Sequence, residues 1–408
     1  MNNTTSPTPS TLSQPLTLPC GTTLKNRIAK AAMSETLADR HGVPTARLQR
    51  LYDTWARGGA GLLITGNVMI DHRALVEPRN VILEDPRHRP AIARWAAAAH
   101  AHHTTVFMQL NHPGRVAAAP WNRRPVGPST IRSRSTGARR PRAMTTPEIA
   151  ALVRRFAHSA QLAVDAGFDG VQIHAAHGYI LSQFLAPNAN TRGDRYGGDP
   201  GRRRSLLLDV IHATRETIGP TVALSVKLNC ADFDRGGLSE DESLDTAVAL
   251  ADSGIDLLEI SGGTYADPAM FGPDVSSNPH PHDYFLPYAQ RLRARTKVPI
   301  MLTGGMRTAA VITQLIDTGV IDVVGLARPL AVRPDLPTRI LVGDEIGPLP
   351  GPTPLGRRNA DGLLQTAWHA AQLRRVANQA PASPDLDSRR TLLTTLARTL
   401  AGTITQGH

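Results

Sequence analysis

Short apolar runs bounded by glycine or polar residues recur along the chain, and between them lie stretches whose apolar positions repeat every three or four residues. The runs "NRIAKAAM" (26–33), "TTVFMQL" (104–110), "TVALSVKL" (221–228) and "VPIMLTG" (298–304) read as buried strands. "PEIAALVRRFAHSAQLAVDA", "SLLLDVIHATRETI" and "EDESLDTAVALADSG" read as helices, the last with acids in its first turn, where the helix dipole favours them. A repeated phrase joins the two kinds of element. "DAGFDGVQI" (165–173), "DSGIDLLEI" (252–260) and "DTGVIDVVGL" (317–326) each run acid, small residue, Gly, apolar, Asp, then a β-rich stretch, and "RGGAGLLIT" (57–65) is a looser copy. Glycine ends a helix in the left-handed conformation, and the apolar run after it is too short for anything but a buried strand.

Eight strands alternating with helices imply an all-parallel sheet, and eight is the number that closes a barrel. The expected fold is an α/β (β/α)8 TIM barrel, with an open doubly wound sheet as the alternative. No G-x-G-x-x-G follows the first strand, which argues against a Rossmann dinucleotide site. Beyond about residue 340 the alternation stops; "GPLPGPTP" reads as a linker, and "DGLLQTAWHAAQLRRVAN" and "SRRTLLTTLARTL" as accessory helices on the barrel's outside. The expected division is a disordered tail over 1–14, the barrel over 15–345, and the linker with accessory helices over 346–408.

Composition narrows the class. The chain has 408 residues, 41% of them hydrophobic, enough for a large core, and no window of about 18 uninterrupted apolar residues to span a bilayer. Its first residues, "MNNTTSPTPSTLSQP", lack the basic start and apolar middle of a signal peptide, so a cytoplasmic protein is expected. Two distant cysteines, Cys20 and Cys230, exclude a disulfide framework and a cysteine-ligated zinc or iron–sulfur cluster. The net charge of +11 favours anionic partners, and part of it is local. Residues 123–142 hold seven arginines and no acid, but only Trp121 lies near them to stack a base, so a solvated basic loop, or one facing a phosphorylated ligand, is preferred over nucleic-acid recognition.

In a parallel barrel the active site is built at the C-terminal ends of the strands. Those ends carry amides, hydroxyls, imidazoles and glycines: Ser34, Asn67, Gln109, Asn111, His112, Lys227, Asn229 and Ser261 among them. Gly304 and Gly305 after strand seven, with Arg328 after strand eight, make the phosphate site common to such barrels, where backbone N–H groups and a guanidinium hold phosphate oxygens. The fourth strand delivers "HAAHGY", with His174, His177 and Tyr179. Zinc needs a third ligand at recognisable spacing, which the H-x-x-H lacks, so no metal site is expected. One of these histidines could simply pack in the core, but two imidazoles and a phenol at one strand end bring many donors together. Donors converging on an oxygen are the better reading, since neutral imidazole N–H groups stabilise developing negative charge on a carbonyl. Tyr179, with a reference pKa of about 10, then acts as a proton donor.

These motifs resemble the old yellow enzyme family of flavin-dependent ene-reductases. The resemblance is carried by "KNRIAKAAMSE" (25–35), "MQLNHPGR" (108–115), "GFDGVQIHAAHGYILSQFLAPNANTRGDRYGG" (167–198), "SVKLN" (225–229), "DLLEISGG" (256–263), "LTGGMRT" (302–308) and "VVGLARPL" (323–330), in the family's order. It implies FMN held noncovalently at the barrel's C-terminal mouth. Ala32, Met33 and Ser34 match the segment along the flavin, Asn67 and Gln109 the contacts to the ring's polar edge, and Lys227 the cation beside N1 and O2. Gly304, Gly305, Ala327 and Arg328 match the phosphate site. His174 and His177 match the pair that binds the substrate's activating oxygen, and Tyr179 the proton donor. The implied cycle is ping-pong: NADH or NADPH reduces FMN and leaves, an enone-type substrate enters, hydride passes to Cβ, and Tyr179 protonates Cα. A small-molecule substrate is implied, no membrane partner, and a homo-oligomer is left open.

The sequence departs from the family at Ser34, where Cys or Thr is common, and at Thr36, where some bacterial members place Tyr, so neither flavin potential nor substrate shape transfers. Three other readings compete. An RNA dihydrouridine-type flavin reductase suits the basic loop but needs a cysteine proton donor that neither Cys20 nor Cys230 supplies. A Schiff-base aldolase would use Lys227, and a non-enzymatic flavin carrier has no use for the His-His-Tyr set.

Overall fold

The computed structural model of the chain describes residues 11–117, 122, 124–134, 139–263, 285–304, 309–344, 349–355 and 358–405. The parallel strands are β1 (Ile28–Lys30), β2 (Leu62–Ile64), β3 (Thr105–Asn111), β4 (Gly170–Ala175), β5 (Ala223–Asn229), β6 (Leu257–Ser261), β7 (Ile300–Thr303) and β8 (Val323–Leu326). Each pairs with the next, and β8 returns to β1 through Val324↔Ile28 and Leu326↔Lys30. The sheet is therefore a closed eight-stranded barrel, as the alternating pattern implied, and the open doubly wound alternative falls.

The repeated junction phrase has a double physical purpose. Its glycine takes a positive φ in each copy, at Gly59, Gly167, Gly254 and Gly319, and so ends the preceding helix. Its aspartate, one position before the strand, turns its carboxylate onto the neighbouring strand's first amides: Asp169 accepts from Val106 N, Asp256 from Leu224 N and Asp322 from Ile300 N, each at 2.8 Å. Basic side chains complete these carboxylates: His100 on Asp169, Arg215 on Asp256 and Arg293 on Asp322.

Side chains facing the barrel axis change character along the strands. At the N-terminal end they are apolar: Leu62, Phe107, Ala223, Leu257, Met301 and Val323 form one buried cluster, and Leu24, from the antiparallel pair Leu16–Thr17 and Thr23–Leu24, and Leu18, just after its first strand, join it from below. Two residues further along, the same inward rows present Gln109, Ser225, Glu259 and Thr303. The apolar floor thus gives way to a polar layer on which the mouth is built.

Outside the barrel, Tyr52 of helix Ala46–Arg57 meets Trp55 and Trp95 edge to face at 5.1 Å, and Trp95 meets Phe168 at 5.5 Å, contacts worth about 0.5–1.5 kcal/mol each beyond their area. Helix Arg358–Ala377 adds Leu373, Val376 and Ala377 to this outer core, and its end is tied down by Arg50 Nε donating to Ala377 O at 3.0 Å. Core packing also begins ahead of the boundary expected at residue 15. Leu12 is buried in the main core, and its carbonyl accepts the Arg27 N–H at 3.0 Å, because the strand pair below the barrel needs an anchored approach.

Candidate active site

The segment "HAAHGY" leaves the end of β4 through a turn that aims three rings at one place. His177 and Gly178 take successive left-handed conformations, φ 62° and 76°, and Tyr179 then precedes the short helix Ile180–Leu185. A non-glycine residue there costs on the order of 1 kcal/mol or more. Local bonds offset that strain: His177 N donates to Asn229 Oδ1 at 3.2 Å, Gly178 N to Ser182 Oγ at 3.2 Å, and His177 Nε2 meets Ser261 Oγ at 2.8 Å. The result is a cluster in which His174 stands edge-on to His177, centroids 5.1 Å apart, and to Tyr179 at 4.8 Å. Asn67, from the end of β2, reaches Tyr179 Oη with its Nδ2 at 3.5 Å.

Both imidazoles are held neutral. Burial first, then the His177 and Lys227 charges, keep His174 well below the ordinary histidine value; burial and Lys227 do the same for His177. His174 Nδ1 accepts the Ala176 N–H at 3.2 Å, which puts its ring proton on Nε2 as a donor. His112, at the end of β3, is also pushed down by burial, to about 4, but accepts from Gly114 N through Nδ1 beside a different turn.

Beneath the rings lies a buried polar chain. Lys227 is the cross-strand neighbour of His174 and donates to Glu259 Oε1 at 2.7 Å, and Thr303 Oγ donates to the same oxygen at 2.8 Å. Gln172 Nε2 donates to Glu259 Oε2 at 2.9 Å, and its Oε1 accepts from Gln109 Nε2 at 2.8 Å. Gln109 and Lys227 are thus brought into one connected layer, linked by Gln172 and Glu259, two residues that reading the strand ends alone had missed. The signal was present: single polar residues inside the otherwise apolar "GVQIHA" and "LLEIS".

Ala32, Met33 and Ser34 follow β1 and stay half-buried, with Ser34 Oγ hydrogen-bonded to the Glu77 carboxylate. A second overlooked network fixes this segment: Glu35 Oε1 accepts from Tyr52 Oη at 2.5 Å, from Gly66 N at 2.9 Å and from the fully buried Lys30 Nζ at 3.4 Å. A Cβ on Gly66 would stand 2.1 Å from Glu35 Oε2, so only glycine lets the two loops approach this closely. Gly304 follows β7 at φ 120°, and Ala327 and Arg328 follow the adjacent β8, which puts three of the four residues expected at the phosphate on neighbouring strands; Gly305, like Trp121 and Arg123, lies outside the described residues.

Several polar atoms at this end have no protein partner among the described residues. Among them are Asn67 Oδ1, Arg115 Nε and both amide atoms of Asn111, the last on the inward row two residues beyond Gln109. Buried polar atoms ordinarily find partners, so this mouth is built for a ligand rich in donors and acceptors. The edge of a flavin ring, with carbonyl oxygens flanking an N–H, has the matching chemistry. Of metal ligands, one described group, Asp71, His72 and Glu84, lies close together. Arg73 bonds Asp71 at 2.7 Å and Arg155 approaches Glu84 at 3.4 Å, so the group reads as an ion-pair network. No described helix is long and apolar enough to cross a membrane.

A closed barrel whose C-terminal mouth gathers two neutral imidazoles, a phenol, several amides and an ion-paired lysine has the build of an enzyme that acts on small molecules. The chain belongs to the NADH:flavin oxidoreductase / NADH oxidase family, which it matches over residues 11–345, and is an oxidoreductase of that family. It is 34% identical over 367 residues to the NADH-dependent flavin oxidoreductase iliE of Hypocrea jecorina, covering 82% of this chain and 90% of that one. Among solved structures it is similar to the old yellow enzyme homologue of Zymomonas mobilis, with 27% identity, a TM-score of 0.71, and 83% and 94% of the two chains covered. It is also similar to morphinone reductase in complex with tetrahydroNAD, with 27% identity, a TM-score of 0.70, and 82% and 92% covered. The old yellow enzyme resemblance and the barrel fold both hold.

Proposed function

We propose that the protein is an FMN-dependent NAD(P)H oxidoreductase that reduces the activated C=C bond of α,β-unsaturated carbonyl-type substrates, the nicotinamide and the alkene using one pocket in turn. The observation that carries this reading is the convergence of neutral His174 and His177 with Tyr179 at the end of β4. Asn67, Gln109 and Lys227 would hold the flavin's polar edge, Ala32, Met33 and Ser34 its flank, and Gly304, Gly305, Ala327 and Arg328 its phosphate. When bound, FMN would take hydride from NADH or NADPH and deliver it to the β-carbon of the alkene.

The protein's own groups supply the rest. His174 Nε2–H donates to the carbonyl oxygen of the substrate. Ser261, by donating to His177 Nε2, leaves the His177 Nδ1–H for the same oxygen; neutral donors in a buried site stabilise the enolate-like charge without titrating near neutral pH. Tyr179 Oη, steadied by Asn67, gives its proton to the α-carbon. Two features count against the alternatives. Burial pushes the Cys230 thiol up to about 12, ill suited to the proton donor a dihydrouridine-type reductase needs, and Cys20 sits beside the strand pair under the barrel. Lys227 is tied to Glu259 as an ion pair, the opposite of the free amine an aldolase requires.

The test separates the two half-reactions by stopped flow. Tyr179→Phe keeps FMN and its reduction by NADH or NADPH, while the enone step slows about 10²-fold or more; an unchanged enone step overturns the proton-donor role. His174→Ala combined with His177→Ala weakens the binding of a phenol, whose oxygen mimics the enolate; an unaltered charge-transfer band on titration overturns the oxygen-binding role.

A further inference from the structure

We propose that Glu259 is a positioning residue that sets both the charge and the hydrogen-bond polarity presented to the flavin's pyrimidine edge. The proposal rests on the reading above that Lys227 and Gln109 hold that edge. Glu259 is fully buried on the inward row of β6, and its carboxylate accepts three hydrogen bonds: from Lys227 Nζ at 2.7 Å, Thr303 Oγ at 2.8 Å and Gln172 Nε2 at 2.9 Å.

An ionised carboxylate only accepts, so Gln172 must turn its NH2 toward Glu259 and its carbonyl away. That carbonyl then accepts Gln109 Nε2–H at 2.8 Å, which fixes the orientation of the Gln109 amide in turn. Gln109 keeps its carbonyl oxygen and one N–H for the ring edge, and Lys227 keeps two of its three N–H donors. Two amides that could each flip are thus aligned by one carboxylate whose hydrogen bonds all go to protein side chains. The same carboxylate offsets the Lys227 charge, so the ring edge meets an oriented donor beside a balanced ion pair.

Flavin-replete wild type, Glu259→Gln and Glu259→Asp are compared by redox titration and by titration with sulfite, which adds to the oxidised ring and reports positive charge near it. Glu259→Gln has the same shape but no charge, so Lys227 is left unbalanced. Sulfite affinity then rises on the order of tenfold, and the two-electron equilibrium moves toward reduced flavin by a similar factor, ~30 mV. Glu259→Asp keeps the charge and stays within about twofold of wild type on this electrostatic account. A merely packed residue predicts the reverse order, because Asp is shorter and Gln is not. The proposal is overturned if Gln leaves both readouts unchanged, or if Asp shifts them and Gln does not.

Should Glu259→Gln fail to fold, the double variant Lys227→Met with Glu259→Gln buries no unpaired charge and keeps the question open. Lys227→Met alone must then lower sulfite affinity more than the double variant does; equal losses overturn the proposal. A wild-type protein that binds no flavin on reconstitution overturns instead the functional reading on which the proposal rests.

Discussion

At the N-terminal end of the barrel, Asp169, Asp256 and Asp322 each accept a strand amide and pair with a basic side chain. At the C-terminal end, Asn111 and Asn67 bury amide atoms that find no partner among the described residues, and His174 and His177 sit uncharged where ordinary histidines would take up protons in mild acid. One fold thus pairs the carboxylates of its strand junctions at one end and leaves amide atoms open at the other. The closed end secures stability, and the open end keeps binding capacity that the protein alone does not use.

The largest effect should come from breaking the closed end. Asp256→Ala removes the acceptor for Leu224 N and leaves Arg215 without its carboxylate, both largely buried. Losing one partner of such a pair costs about 3 kcal/mol. The urea midpoint should fall accordingly, while the flavin spectrum and turnover per folded molecule stay as in wild type. A change in flavin potential without loss of stability would contradict the division between the two ends.

A middling effect should come from acid. Because the folded pKa values of His174 and His177 are lowered, the unfolded chain binds more protons than the folded one once pH drops below about 6.5. The penalty is absent well above that pH and grows as pH falls. Urea midpoints measured from about pH 7 down to about pH 5 should fall in wild type, and His174→Asn with His177→Asn should flatten that decline. An equal decline in that variant would mean that the two imidazoles are not held neutral.

What the sequence disclosed also divides by barrel end. The junction phrases, each with Gly and Asp at fixed offsets, are local signals, and they placed the strands and the closed barrel correctly. His174, His177 and Tyr179 were legible because they crowd into one strand end within six residues. Glu259 and Gln172 were not, because each is a single polar residue inside a run otherwise fit for a buried strand, and its meaning depends on which strands become neighbours. Glu77 lies far along the chain from Ser34, in a loop with no periodicity to mark it, and only the folded barrel brings the two together. Lys30 and Glu35 were quoted within a motif, yet nothing in their spacing announces that Tyr52 and Gly66 N complete their network.

The smallest effect should be at Asn111, and it sharpens the comparison most directly. Its side chain is fully buried, but neither amide atom has a partner among the described residues, so truncation gives up no hydrogen bond within the protein. Asn111→Ala therefore loses some packing and regains the desolvation cost of an unsatisfied amide, two contributions of about 1–3 kcal/mol that oppose each other. Stability of the flavin-free protein should change by less than about 1 kcal/mol. Gln172→Ala, one strand away, strips Glu259 and Gln109 of a bonded partner and should cost at least about 2 kcal/mol. Urea titration of the two flavin-free variants side by side decides the matter: if Asn111→Ala costs as much as Gln172→Ala, the mouth is as internally satisfied as the polar layer beneath it, and the reading of an open end fails.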